Sequence, residues 1–157
     1  MFPPTIKIVG FHNAKFMNKP IEFFKDNKEF QKCAREWQHK LFLDDWFIRF
    51  ELVDGDLYLE DDGETEVYGY CNRNFENHEA LIRIAHKKNF KGIVTRSIEE
   101  LTLVHELLHC LIFPLEPKDE ATYEQAYLGL AQHVKIDKLA KSFIMAKYNL
   151  DYNYFMD

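Results

Sequence analysis

The chain has 157 residues, 46% of them hydrophobic and 15% aromatic, with a formal net charge of −6. This is enough for one domain with its own core, and no run of about 18 apolar residues offers a membrane span. The acidic balance, without a basic stripe carrying interleaved aromatics, argues against nucleic acid as the main partner.

The N-terminal segment, Met1-Phe2-Pro3-Pro4-Thr5-Ile6-Lys7, lacks the charged-then-apolar layout of a secretory signal. Residues 26–43 carry Phe30, Cys33, Ala34, Trp37 and Leu41 at three- to four-residue spacing, which predicts a helix. The period then switches to two. Trp46, Ile48, Phe50 and Leu52 alternate with Phe47, Arg49, Glu51 and Val53, which predicts a strand. Asp54-Gly55-Asp56 signals a turn, and Leu57-Tyr58-Leu59 predicts a short returning strand. The acidic stretch from Asp54 to Glu64 fails as a calcium loop, because Leu59 stands where such a loop needs glycine. Val67–Asn72 and Ala80–Ala85 are the further strand candidates. Cys33, Cys71 and Cys110 are odd in number and dispersed. They predict a reducing, cytoplasmic setting rather than a disulfide framework.

Residues 97–114 hold the most informative stretch. Ser97 and Glu100 have the form of a capping box, and Pro114 ends the run. Between them Leu101, Val104, Leu108, Leu111 and Ile112 fall on one helical face. His105 lies at the edge of that stripe, His109 just past it, and Glu106 further towards the polar side. His105-Glu106-Leu107-Leu108-His109 is an H-E-x-x-H pentapeptide. Residues four apart differ by about 40° around a helix, so the two imidazoles can grip one ion while Glu106 polarises a bound water. The plainer alternative is a buried helix with two hydrogen-bonded histidines. Cys110 points about 100° from His109 and is read as packing.

A catalytic zinc needs a third protein ligand. After Pro114–Pro117, Asp119 offers a cap for a second helix running towards Asn149. Glu120, Glu124, Tyr127, Leu128 and Ala131 share a face of that helix. A carboxylate among Leu128, Ala131 and Tyr127 is costly to bury unless a metal compensates it. Glu124 is therefore the expected third ligand, with Glu120 one turn earlier as the alternative. A solvated glutamate at a helix N-terminus is the bland reading of either. His133, nine positions after Glu124, is expected on the opposite, solvent-facing side. His12, His39, His78 and His86 lack ligand-like spacing and are read as structural or exposed. In the terminal run Tyr152, Tyr154 and Phe155 are expected to pack on the body; the sharper alternative places the tail at the cleft as a restraint.

Leu103 to His109, with Glu124-Gln125-Ala126 and Leu130-Ala131, resembles the gluzincin group of zincin metallopeptidases. The likeness is greatest to the small, phage-borne forms called minigluzincins. The repressor-cleaving ImmA-type peptidases share a similar layout, with an Ala-Asn pair where this chain has Ala126-Tyr127. The resemblance implies zinc bound by His105, His109 and Glu124, Glu106 as general base and then acid, and a peptide or protein substrate. It also implies a single zincin-like α+β domain over residues 1–157: an N-terminal helix, a small, mostly antiparallel sheet of three or four strands, the metal-motif helix and the glutamate helix. In such folds an edge strand pairs with the substrate backbone, and Val67–Asn72 is the candidate. Tyr123, Tyr127 or a tail tyrosine is expected to supply an oxyanion donor. The competing class is a non-catalytic zinc-binding module that docks a partner protein.

Overall fold

The computed structural model describes residues 19–59, 63–86, 98–112 and 123–155; within the last stretch the side chains of residues 123–128 and 152 lie outside the description. The architecture is α+β. Helix α1 spans Asn27–Lys40, followed by strands β1 (Phe47–Asp54), β2 (Leu57–Tyr58), β3 (Glu66–Val67), β4 (Gly69–Asn74) and β5 (Glu79–His86), then helices α2 (Glu99–Leu111) and α3 (Tyr123–Tyr148). The main sheet has the order β1-β5-β4, and β2 and β3 form a separate ribbon. The β4–β5 and β2–β3 pairings are antiparallel, whereas β1 runs parallel to β5 from Phe47↔Glu79 to Asp54↔His86. Parallel pairing needs a long return, which the ribbon and β4 provide.

Alternation fixes the faces of β1. Ile48 and Phe50 turn into the core while Phe47 and Arg49 face out. The expected strand at Val67–Asn72 splits into the end of β3 and the start of β4, with Tyr68 between them. Helix α1 starts where Asp26 accepts a hydrogen bond from the Glu29 N–H at 2.8 Å. It buries Phe30, Cys33, Ala34 and Trp37, as its spacing predicts.

Helix α2 sits at the centre, packed on β4 and β5 and against α1 and α3. Its buried apolar set is Leu103, Val104, Leu107, Leu108 and Cys110, while Leu111 is 45% exposed. The stripe predicted from Leu101 to Ile112 is therefore rotated. A helix enclosed on several sides has no single apolar face to read. Its N-terminus also departs from the predicted capping box. Ile98 is the N-cap and makes no side-chain cap bond; Ser97 lies outside the described residues. The free N–H groups of Glu99 and Glu100 donate to the carbonyls of Glu22 and Ile21 at 3.1 and 3.2 Å.

The two carboxylates then bind back. Glu99 accepts from the Phe24 N–H at 2.8 Å and sits 2.9 Å from His86 Nδ1. Glu100, 0% exposed, accepts from Trp37 Nε1, Lys147 Nζ, Tyr148 Oη and the Ile21 N–H, all within 2.9 Å. A buried carboxylate is tolerated only when its lone pairs are filled in this way. Glu100 thereby ties α2 to α1, to the end of α3 and to the segment before α1.

Helix α3 turns Ile136, Ala140 and Ile144 into the core, each 0% exposed. In the terminal run, Leu150 and Phe155 pack against the core and the Tyr154 ring meets Phe155 edge-on at 5.0 Å. The expected packing of these aromatics on the body holds for Phe155, against which the Tyr154 ring rests; the Tyr152 side chain lies outside the description.

Candidate metal centre

One face of α2 runs alongside β4. Residues 69, 71 and 73 share a side of the strand, and residues 102, 106 and 110 share a side of the helix. Gly69 is where they approach most closely. A Cβ built there would lie 2.6 Å from Thr102 Cγ2 and 2.9 Å from Glu106 Cγ. Glu106 is consequently 8% exposed rather than on the polar side, as its position along the stripe had suggested. Burial pushes its carboxyl up to about 8, against the opposing pull of the Arg73 charge.

The other face of α2 meets α3. Here His105, His109 and His133 come together, with a nitrogen of each ring within 4.8 Å of the others. The ring centroids of His133 lie 5.2 Å from His105 and 4.8 Å from His109. This corrects the expectation that His133 faces away. That expectation measured the helix from Glu124; α3 instead orients by Ile136, Ala140 and Ile144, which bring position 133 round to α2. Glu124 is the second residue of α3, with its side chain outside the described residues, and Glu120 lies outside them altogether. On an uninterrupted helix positions 124 and 133 are half a turn and about 13 Å apart. An ion held by His133 is therefore out of reach of position 124.

The chemistry of the donor set suits a divalent cation. Three nitrogens about 2.1 Å from a tetrahedral ion stand about 3.4 Å from one another, so the cluster closes by at most about 1.4 Å, within the scope of side-chain rotation. The rings are also prepared as neutral ligands. Burial holds His109 down to about 3, with the His105, Arg73 and His133 charges adding to it. Burial also lowers His105, helped by His133 and resisted by Asp137. Metal binding must displace the second proton of an imidazolium, and the lowered values of both rings favour the neutral form, with one nitrogen open.

Asp137, one turn beyond His133 on α3, places Oδ1 3.1 Å from His105 Nδ1. That contact assigns Nδ1 as the protonated nitrogen and leaves Nε2 for the cation, the carboxylate–histidine arrangement common around metals. Sequence reasoning missed Asp137, although the spacing His133–Asp137 on one helix was the available signal.

A cleft of about 360 Å³ opens beside the cluster, lined by residues 66–69 of the β3–β4 junction, Leu101, Thr102, His105, Glu106 and Asp137. Tyr68, 44% exposed on this wall, was not among the tyrosines singled out from the sequence; the Tyr123 and Tyr127 side chains lie outside the description. Among the described residues β4 forms an edge of the main sheet, as expected for residues 69–72 of the candidate segment, whereas Val67 belongs to β3 in the separate ribbon. Of the remaining histidines, His39 pairs with Asp44, His78 stacks on Trp46 and His86 pairs with Glu99, in keeping with structural roles; His12 lies outside the described residues. No helix among the described residues is long and apolar enough to cross a membrane. Comparison of the chain with protein-family models, with curated proteins and with solved structures returned no match.

Proposed function

We propose that the protein is a zinc-dependent peptidase of zincin-like architecture, with His105, His109 and His133 as the metal ligands and Glu106 as general base. The observation that carries this reading is the placement of His105 and Glu106 on the wall of one cleft, with His109 and His133 completing an imidazole tripod behind it. Zinc held by His105, His109 and His133 would supply a Lewis acid and would acidify a water. Glu106 lines the same cleft and would serve as the proton acceptor and then as the donor to the leaving amine. Its raised carboxyl pKa suits the acid half of that cycle, and a cation beside it favours the ionised form for the base half. The β3–β4 junction offers backbone groups along which an extended peptide can lie.

The test combines metal analysis with a peptide-library cleavage screen. Protein purified without added zinc should carry about one equivalent. His133→Ala should lose it, and Glu124→Ala should keep it. Glu106→Gln should retain metal and lose cleavage. Metal lost from the Glu124 variant and kept by the His133 variant would overturn the ligand set. Cleavage surviving in Glu106→Gln would overturn the mechanism.

A further inference from the structure

The second feature of the α2–β4 contact is a pair of thiols. Cys71 and Cys110 are 39 residues apart in the chain, and their Sγ atoms lie 3.7 Å apart. Cys71 is half-buried on the edge strand; Cys110 is 4% exposed and directly follows His109. The close approach at Gly69, two residues before Cys71, brings the strand near enough for this meeting. The remaining cysteine, Cys33, is 5% exposed on α1. A disulfide needs its sulfurs about 2.05 Å apart, so the pair closes by about 1.7 Å through side-chain rotation.

We infer that Cys71 and Cys110 form an oxidisable thiol pair, convertible by a small hydroperoxide to a disulfide that fastens edge strand β4 to the last turn of α2. Cys71, the more accessible thiol, reacts first. Its sulfur attacks the peroxide, the O–O bond breaks, and a sulfenic acid forms with release of water. Cys110 then attacks that sulfur, the S–O bond breaks, and the hydroxyl leaves with the Cys110 proton as a second water. Two thiols and one hydrogen peroxide become one disulfide and two waters, so the peroxide is the oxidant and no further reagent is needed. The Cys110 contact and burial hold the Cys71 thiol well above its usual range, which slows its attack on any oxidant. Its half-buried position on the strand admits a small peroxide more readily than a bulky disulfide. The link sits beside a candidate metal ligand but does not depend on metal or on catalysis.

The experiment exposes the folded full-length protein to hydrogen peroxide, confirms the fold by circular dichroism, and counts thiols in denaturant. The expected count falls from three to one, and dithiothreitol restores it. Peptide mapping without reductant should show residues 71 and 110 joined, lighter by two hydrogens. Cys33→Ser should keep the link; Cys71→Ser and, separately, Cys110→Ala should abolish it. A folded protein that keeps all its thiols would overturn the inference. So would advance of Cys71 to the sulfinic acid without a link, or a bridge to Cys33 or to a second copy of the chain.

Discussion

Replacing Glu100 by glutamine tests what holds the two site-bearing helices together. The wild-type carboxylate is fully buried and receives four donors, one of them the Lys147 ammonium at 2.8 Å. Glutamine keeps the shape but has one acceptor oxygen, and its amide N–H₂ is turned towards groups that are themselves donors. Among the described residues the Lys147 side chain, 11% exposed, keeps only Glu36 at 3.7 Å as an anionic partner. Removing one member of a buried, hydrogen-bonded pair costs about 3–5 kcal/mol. For a chain of this length each kcal/mol moves the unfolding midpoint by about 2–4 °C, so the drop is roughly 6–20 °C. Calorimetry on the wild type, Glu100→Gln, Lys147→Met and the double variant provides the assay. The double variant should lose less than the sum of the singles, with a coupling of about 1–3 kcal/mol. Single variants within about 1 °C of wild type, or strictly additive losses, would refute the reasoning.

Three other outcomes are expected. Gly69→Ala forces a Cβ to within 2.6 Å of Thr102 and should cost about 1–3 kcal/mol; thermal unfolding at the wild-type midpoint would show that the strand has room. Asp137→Ala should weaken zinc binding by about 10- to 100-fold in a chelator competition, with stability nearly unchanged because the contact is largely exposed; equal affinity would mean that Asp137 does not orient His105. In the metal-free protein, Glu106 is raised from 4.5 to about 8, so between these values the folded state holds a proton that the unfolded chain lacks. His109 is lowered from 6.5 to about 3, so between these values the unfolded chain holds the extra proton. Stability due to this pair should thus rise as pH falls from about 8 to 6.5, level off to about 4.5, and fall below that. Glu106→Gln should remove the first limb, worth about 2 kcal/mol; urea midpoints that rise equally in both proteins between pH 8 and 6.5 would count against it.

Much of this was legible in the sequence, for identifiable reasons. Period-two alternation marked β1 because one side of that strand faces the core, and the spacing of Phe30, Cys33 and Trp37 marked α1 for the same reason. The start of α2 is not legible in the sequence because its cap is made by the carbonyls of Ile21 and Glu22, and backbone groups distant in the chain leave no trace in composition. The burial of Glu99 and Glu100 was hidden likewise: their partners lie in four separate elements. His133 is hidden in the sequence because residues near the start of α3 suggest one rotation, whereas Ile136, Ala140 and Ile144, all fully buried, determine another.

Helix α3 carries His133 at the metal cluster and, fourteen residues later, Lys147 at Glu100. That interval is about 21 Å of continuous helix, and it works as a phase lock. Each residue added between the two would swing one end by about 100° relative to the other, so the anchor and the ligand could not both be kept. An insertion of four residues returns to within about 40° but lengthens the strut by about 6 Å. The spacing from 133 to 147 should therefore be intolerant of length change, while the identities of the exposed residues along it remain free to vary.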